Sequence, residues 1–165
     1  MKRIIIHWTA GTYYPTEYEK EHYHYLVDKD GKIHNGKFRP ENNEICKQGK
    51  YAAHTGGGNT GSIGVSICAM AGFKNNLNIG KFPILKKQFE NTMAFCADLA
   101  IKYKLEVSPQ TVMTHYEFGL KNPKTTSAGK IDITYLPPYN WVNKEEIGSF
   151  IRSKIKWYIQ KKRSK

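Results

Sequence analysis

A chain of 165 residues with 39% hydrophobic and 13% aromatic residues can bury one sizeable core and is too apolar for wholesale disorder. Its net charge of +12 predicts attraction to something anionic: nucleic acid, an anionic lipid surface or the acidic polymers of a bacterial envelope. Three widely spaced cysteines, Cys46, Cys68 and Cys96, with no CxxC pair, argue against a disulfide framework and against a cysteine-type zinc cluster.

The first element in chain order is the run Ile4-Ile5-Ile6, which reads as a strand buried on both faces. It is far too short for a signal-peptide core or a membrane span, so synthesis in the cytoplasm without a signal peptide is the expectation. His7 stands where this strand meets the loop Trp8-Thr9-Ala10-Gly11, and Gly11 to Lys20 reads as a polar connection. His22 to Val27 is β-rich, Lys29-Asp30-Gly31-Lys32 signals a turn, and Ile33 to Gly36 returns as the hairpin partner. Phe38 to Lys50 is irregular, and Thr55 to Gly61 is too glycine-rich for regular structure.

Ser62 to Met70 is predicted as a second long strand. Pro83 suits the first turn of a helix, and Leu85, Phe89, Met93, Cys96, Leu99, Ala100 and Tyr103 repeat at helical spacing. Residues 83 to 103 are therefore predicted as one amphipathic helix. Thr111 to Thr114 is a short strand ending at His115, and Gly119 to Lys130 is a loop rich in Gly, Lys, Thr and Ser. Asn143-Lys144-Glu145-Glu146 has capping-box spacing for a last helix, with Ile147, Phe150, Ile151, Ile155 and Tyr158 on its apolar face. From Arg152 to Lys165 there are seven Lys or Arg and no acid.

His7 and His115 both end apolar strands beside a threonine, and Asp132 follows His115 by 17 residues. Two imidazoles and a carboxylate that leave a fourth position open are the donor set of a catalytic zinc site. On spacing alone the same histidines also read as core residues with satisfied ring nitrogens. His22, His24 and His34 read as strand or surface histidines, and Glu117 as a capping or supporting group rather than part of an H-x-E motif.

Five separated motifs, in order, resemble the zinc-dependent N-acetylmuramoyl-L-alanine amidases, which include amidase-type phage lysozymes and the animal peptidoglycan recognition proteins. Ile4 to Ala10 is similar to the first-ligand strand, and His22 to Gly31 to the hairpin after it. Ala52 to Gly56 with Asn59, then Ser62 to Val65, resembles the groove loop and the central strand. Thr114 to Glu117 and Gly129 to Asp132 resemble the second- and third-ligand segments, so the resemblance spans Ile4 to about Pro137. It implies His7, His115 and Asp132 as ligands of one zinc ion, Asp132 standing where some members have cysteine. It further implies Tyr23 and Lys130 as catalytic groups and His54 and Asn59 as substrate-binding residues.

The expected architecture is a single α/β domain with a central mixed β-sheet and packed helices. Residues 1–140 would be the zinc amidase catalytic domain and 141–165 a basic amphipathic helix packed on it. The implied reaction is hydrolysis of the amide joining N-acetylmuramic acid to L-alanine in peptidoglycan, by a phage or prophage endolysin that acts on the wall after release. A cytoplasmic amidase recycling muropeptides, or a non-catalytic peptidoglycan-binding protein, is the alternative. The expected partners are peptidoglycan or a muropeptide, and the anionic envelope through the C-terminal basic helix. No nucleic-acid recognition motif accompanies the charge, so no specific nucleic acid is expected, and the chain is expected to act as a monomer. Two departures bear on specificity: the segment between His7 and Tyr23 leaves little room for the helix that often lies there, and Ile133 to Pro137 replaces an immediate proline-glycine turn.

Overall fold

In the computed structural model, which describes all 165 residues, the three isoleucines lie inside β1 (Arg3–Trp8) of a five-stranded sheet. The other strands are β2 (Tyr25–Val27), β3 (Ile33–Asn35), β4 (Ser62–Ile67) and β5 (Val112–Thr114), in the spatial order β3-β2-β4-β1-β5. β1 pairs in parallel with both β4 and β5, β2 pairs in parallel with β4, and β3 closes one edge as the antiparallel arm of a hairpin. Strands covered on both faces can be continuously apolar, which is why Ile4, Ile5 and Ile6 are all fully buried.

Alternation along β1 then sorts chemistry from packing. Ile4 and Ile6 join the main core, whereas Ile5 belongs to a small cluster with Met113 and Phe118 on the other side of the sheet. His7 shares the Ile5 side, two residues further on, where the strand ends. The main core is closed by α2 (Lys86–Lys102) and α4 (Ile147–Arg163), which pack against each other. Phe89, Met93, Cys96 and Ala97 from α2 meet Ile147, Ile151 and Ile155 from α4 in one cluster with β1 and β4. Each large side chain fully buried in this way contributes roughly 1.5–3 kcal/mol.

The α/β architecture with a mixed sheet is the one expected, but several boundaries move. The predicted polar connection contains a helix, α1 (Glu17–His22), so the β-rich stretch shortens to begin at Tyr25. Six residues with none buried give no apolar period. The helix is held instead by a capping box, in which the Thr16 N–H donates to Glu19 and the Glu19 N–H donates to Thr16. The strand predicted to reach Met70 stops at Ile67, and the helix predicted from Pro83 starts at Lys86. There Gln88 accepts from the Leu85 N–H and donates to the carbonyls of Val27 and Cys68, tying the helix to the strand ends. Asn143 makes no side-chain cap, and residues 144–146 form a single 3-10 turn before α4. His24, read as a strand or surface histidine, directly precedes β2 and is buried between the Asn43 amide and the Gly64 N–H.

α4 is fastened by charge as well as by its isoleucines. Lys154 and the hydroxyls of Tyr139 and Tyr158 converge on Glu90 of α2, and Lys162 lies 2.9 Å from Asp98. Arg152 pairs with Glu117 of α3 (His115–Lys121). Lys156, Lys161, Arg163 and Lys165 have no carboxylate partner and face outward, with Lys161 stacked on the exposed ring of Trp157. No helix is long and apolar enough to cross a membrane, and all three cysteines are free thiols.

Candidate functional site

Three segments deliver three donors to one point. His7 comes from the end of β1, His115 is the first residue of α3 directly after β5, and Asp132 lies in the loop beyond α3. Adjacent parallel strands bring β1 and β5 side by side, with Ile6 opposite Thr114, so the next residue on each, His7 and His115, enters the same space. Thr114 caps α3 through its hydroxyl, which accepts from the Glu117 N–H at 3.1 Å, while Glu117 accepts from the Thr114 N–H at 3.1 Å. That box fixes the first turn of α3 and the direction of His115. Asp132 is aimed by its neighbour Ile133, which is fully buried and held at φ +62°. A β-branched residue pays roughly 1–3 kcal/mol for that conformation, and such strain collects at functional sites.

His7 Nδ1 lies 2.9 Å from Asp132 Oδ2, and His115 Nδ1 lies 3.2 Å from the same carboxylate. All three side chains are buried, and their donor atoms fall within 4.8 Å of one another. Bonds of about 2.0–2.1 Å from a tetrahedral zinc put neighbouring donor atoms about 3.3 Å apart, so the observed spacing suits an ion of that size. The charge state suits it too. Burial drives His7 down to about 4 against the opposing pull of Asp132, so it is a neutral imidazole at neutral pH. Burial alone would raise the Asp132 carboxyl, but contact with His115 and His7 outweighs it and holds the group well below the usual carboxylate range. A neutral imidazole and an ionised carboxylate at these positions are what a divalent cation binds.

His115 and Asp132 line a surface cleft of about 380 Å³, with His7 fully buried behind them. Its walls include Trp8, Thr9, Tyr23, His54, Thr126 and Lys130. The Tyr23 ring lies 5.2 Å from the His7 ring, and burial together with the Asp132 charge pushes its hydroxyl well above the ordinary phenol range, so it stays protonated. Lys130 is exposed on the rim. His54 is buried beside His7, its ring accommodated because residue 64 is glycine: a Cβ there would sit 2.5 Å from the imidazole. Asn59 is not part of the cleft wall. Its Oδ1 accepts from the N–H groups of His54 and Thr55 and so shapes the loop that carries them.

The sequence pattern of the N-acetylmuramoyl-L-alanine amidase family matches residues 1–130. The chain belongs to that family. The match takes in His7 and His115 and stops two residues before Asp132, which the fold itself brings beside them. No curated protein matches the chain significantly. Two neighbours of the candidate ligands carry no signature in the sequence. Ser127, fully buried, has its Oγ 2.9 Å from His115 Nε2, and Thr55 has its hydroxyl 2.7 Å from His54 Nδ1. Both sit in Gly/Ser/Thr-rich loops, where no period marks one hydroxyl out from its neighbours.

Proposed function

We propose that this chain is a zinc-dependent hydrolase that cleaves the amide between the lactyl group of N-acetylmuramic acid and L-alanine, acting as an endolysin on peptidoglycan. The observation that carries the reading is the buried His7–His115–Asp132 cluster, which opens through His115 and Asp132 into a cleft walled by Tyr23 and Lys130, in a chain of the amidase family. Zinc held by those three residues supplies Lewis acidity, lowering the pKa of water to about 7 and polarising a carbonyl. The rest falls to the protein. The cleft orients the lactyl–alanine amide over the floor, and the Tyr23 hydroxyl and Lys130 ammonium face the oxygen that gains charge as the tetrahedral species forms. The same two groups are positioned to give the leaving amine its proton.

The direct test is release of stem peptide from purified peptidoglycan, with chelator and then with zinc restored. Products beginning with L-alanine, lost with chelator and recovered with zinc, are expected. Zinc bound without cleavage of polymer or of soluble muropeptide would leave a binding protein; cleavage of the muropeptide alone would make the chain a recycling enzyme. Tyr23→Phe and Lys130→Ala should each lower kcat by about 10²–10³-fold with zinc content unchanged, the loss seen when one oxyanion donor is removed.

The unpaired cations on α4 support a second contact, electrostatic attraction to the anionic envelope, which would concentrate the chain on its substrate. Charge reversal at Lys156, Lys161 and Arg163 should weaken pelleting with isolated cell walls at low salt and have little effect at high salt, because screening already shortens the interaction to about 10 Å at 0.1 M. Equal losses at both salt concentrations would assign the binding to the cleft instead.

A further inference from the structure

Two hydrogen-bond chains reach the outer nitrogens of the candidate ligands, and each ends on a main-chain carbonyl. A carbonyl can only accept, so each chain has a fixed direction. Ser127 has one hydroxyl proton, and its Oγ lies 2.7 Å from the Gly56 carbonyl oxygen and 2.9 Å from His115 Nε2. With the proton given to Gly56, Oγ accepts from His115 Nε2–H. The second chain starts at the Ser62 carbonyl, 3.2 Å from His54 Nε2, which must therefore carry the proton. His54 Nδ1 is then an acceptor; it takes the Thr55 hydroxyl at 2.7 Å and faces His7 Nε2 at 3.1 Å. A lone pair on His7 Nε2 would oppose another lone pair across that gap. A proton there serves His54 Nδ1 and, at 3.4 Å, Thr55 Oγ1.

Each ring is left with Nδ1 as the one nitrogen able to offer a lone pair, and Nδ1 is the nitrogen that faces Asp132 in both. The supporting groups are built in: Ser127 and Thr55 are fully buried, and His54 nearly so. We infer that Ser127 and His54 are positioning residues that fix the ring orientation and tautomer of His115 and His7, and so set the affinity of the site for a divalent metal. With both of its ring nitrogens engaged, His54 acts through His7 rather than on substrate. The inference rests on the metal-dependent reading above. An outer partner that orients a ligating histidine is worth about 10–100-fold in metal affinity.

The test is zinc affinity by chelator competition for the wild type, Ser127→Ala and His54→Leu, together with imidazole ¹⁵N spectra of the zinc-loaded wild type. Each substitution is expected to weaken zinc binding about 10–100-fold. The wild-type spectrum should show both rings bound through Nδ1, with the proton on Nε2. In Ser127→Ala the Nε2–H signal of His115 alone should shift and exchange faster with water, a change that loss of general stability would not confine to one ring. Unchanged zinc affinity in both variants, or either wild-type ring bound through Nε2, overturns the inference; the spectrum decides even if a variant fails to fold. A wild type that binds no zinc fails the metal-dependent reading itself, which is a separate result.

Discussion

Asp132→Asn is expected to fold, to lose its zinc and to release no measurable stem peptide. Asparagine keeps the shape of the side chain and removes its charge, so the variant isolates electrostatics from packing. In the native site the two Nδ1 atoms lie 2.9 and 3.2 Å from the carboxylate, and no other acid belongs to the cluster. Loss of a direct ligand should cost more than the about 10–100-fold measured when only its outer partner is removed. Catalysis should fall by at least the about 10²–10³-fold that accompanies loss of one oxyanion donor, because the lost zinc is the group that activates water at neutral pH. Stability should not follow. Burial by itself disfavours the ionised Asp132, so in the metal-free protein the neutral amide removes a desolvation cost. Zinc content and stem-peptide release should therefore collapse while the melting temperature of the metal-free protein changes little. Wild-type activity with zinc retained would remove Asp132 from the site.

The parts of this site that the sequence displays are those with a one-dimensional signature. An uninterrupted apolar run marks a parallel strand, and its end marks the place where one rigid element hands over to the next segment; His7 stands one residue before the end of β1 and His115 directly after β5. Family resemblance then supplied Asp132, which no period announces. What sequence could not display is contact between distant loops. Ser127 meets Gly56 across 71 positions, and His54 meets His7 across 47, through glycines whose importance lies in the side chains that would otherwise clash. α1 was missed because a short helix with no buried residue is held by its caps alone. The Asn143 motif misled for the converse reason: capping-box spacing was present, but the chain tightens into a 3-10 turn there and the Asn143 side chain bonds nothing in it. Glu117 shows both sides at once. Its capping role was legible three residues after Thr114, whereas its ion pair with Arg152, 35 residues on, was not.

That ion pair underlies a second large effect: Arg152→Ala should lower the melting temperature by about 5–10 °C and also weaken zinc binding, although Arg152 is no part of the cleft. The guanidinium engages Glu117 in parallel, Nη1 to Oε1 and Nη2 to Oε2 at 3.0 Å each, and Nη1 also donates to the Val112 carbonyl at 3.0 Å. One side chain thus clamps α4 to β5 and to the first turn of α3. The side chains of Arg152 and Glu117 are 13% and 22% exposed, between the surface pairs that contribute about 0–1 kcal/mol and the buried pairs whose rupture costs about 3–5 kcal/mol. The bidentate geometry and the extra carbonyl place this one at about 2–3 kcal/mol. For a chain of this size that corresponds to the stated shift, at about 2–4 °C per kcal/mol. The effect on zinc follows from Glu117, whose carboxylate also accepts from the Thr114 N–H and so holds the turn that begins with His115. Arg152→Lys, which offers a point charge rather than a fork, should recover only part of the loss. Gly148→Ala should act in the same direction from the other side, since a methyl group there would meet the Glu117 carboxylate. Thermal unfolding and chelator competition on the three variants read both effects. A melting temperature unchanged in Arg152→Ala would mean that the isoleucine stripe of α4 alone holds the helix in place.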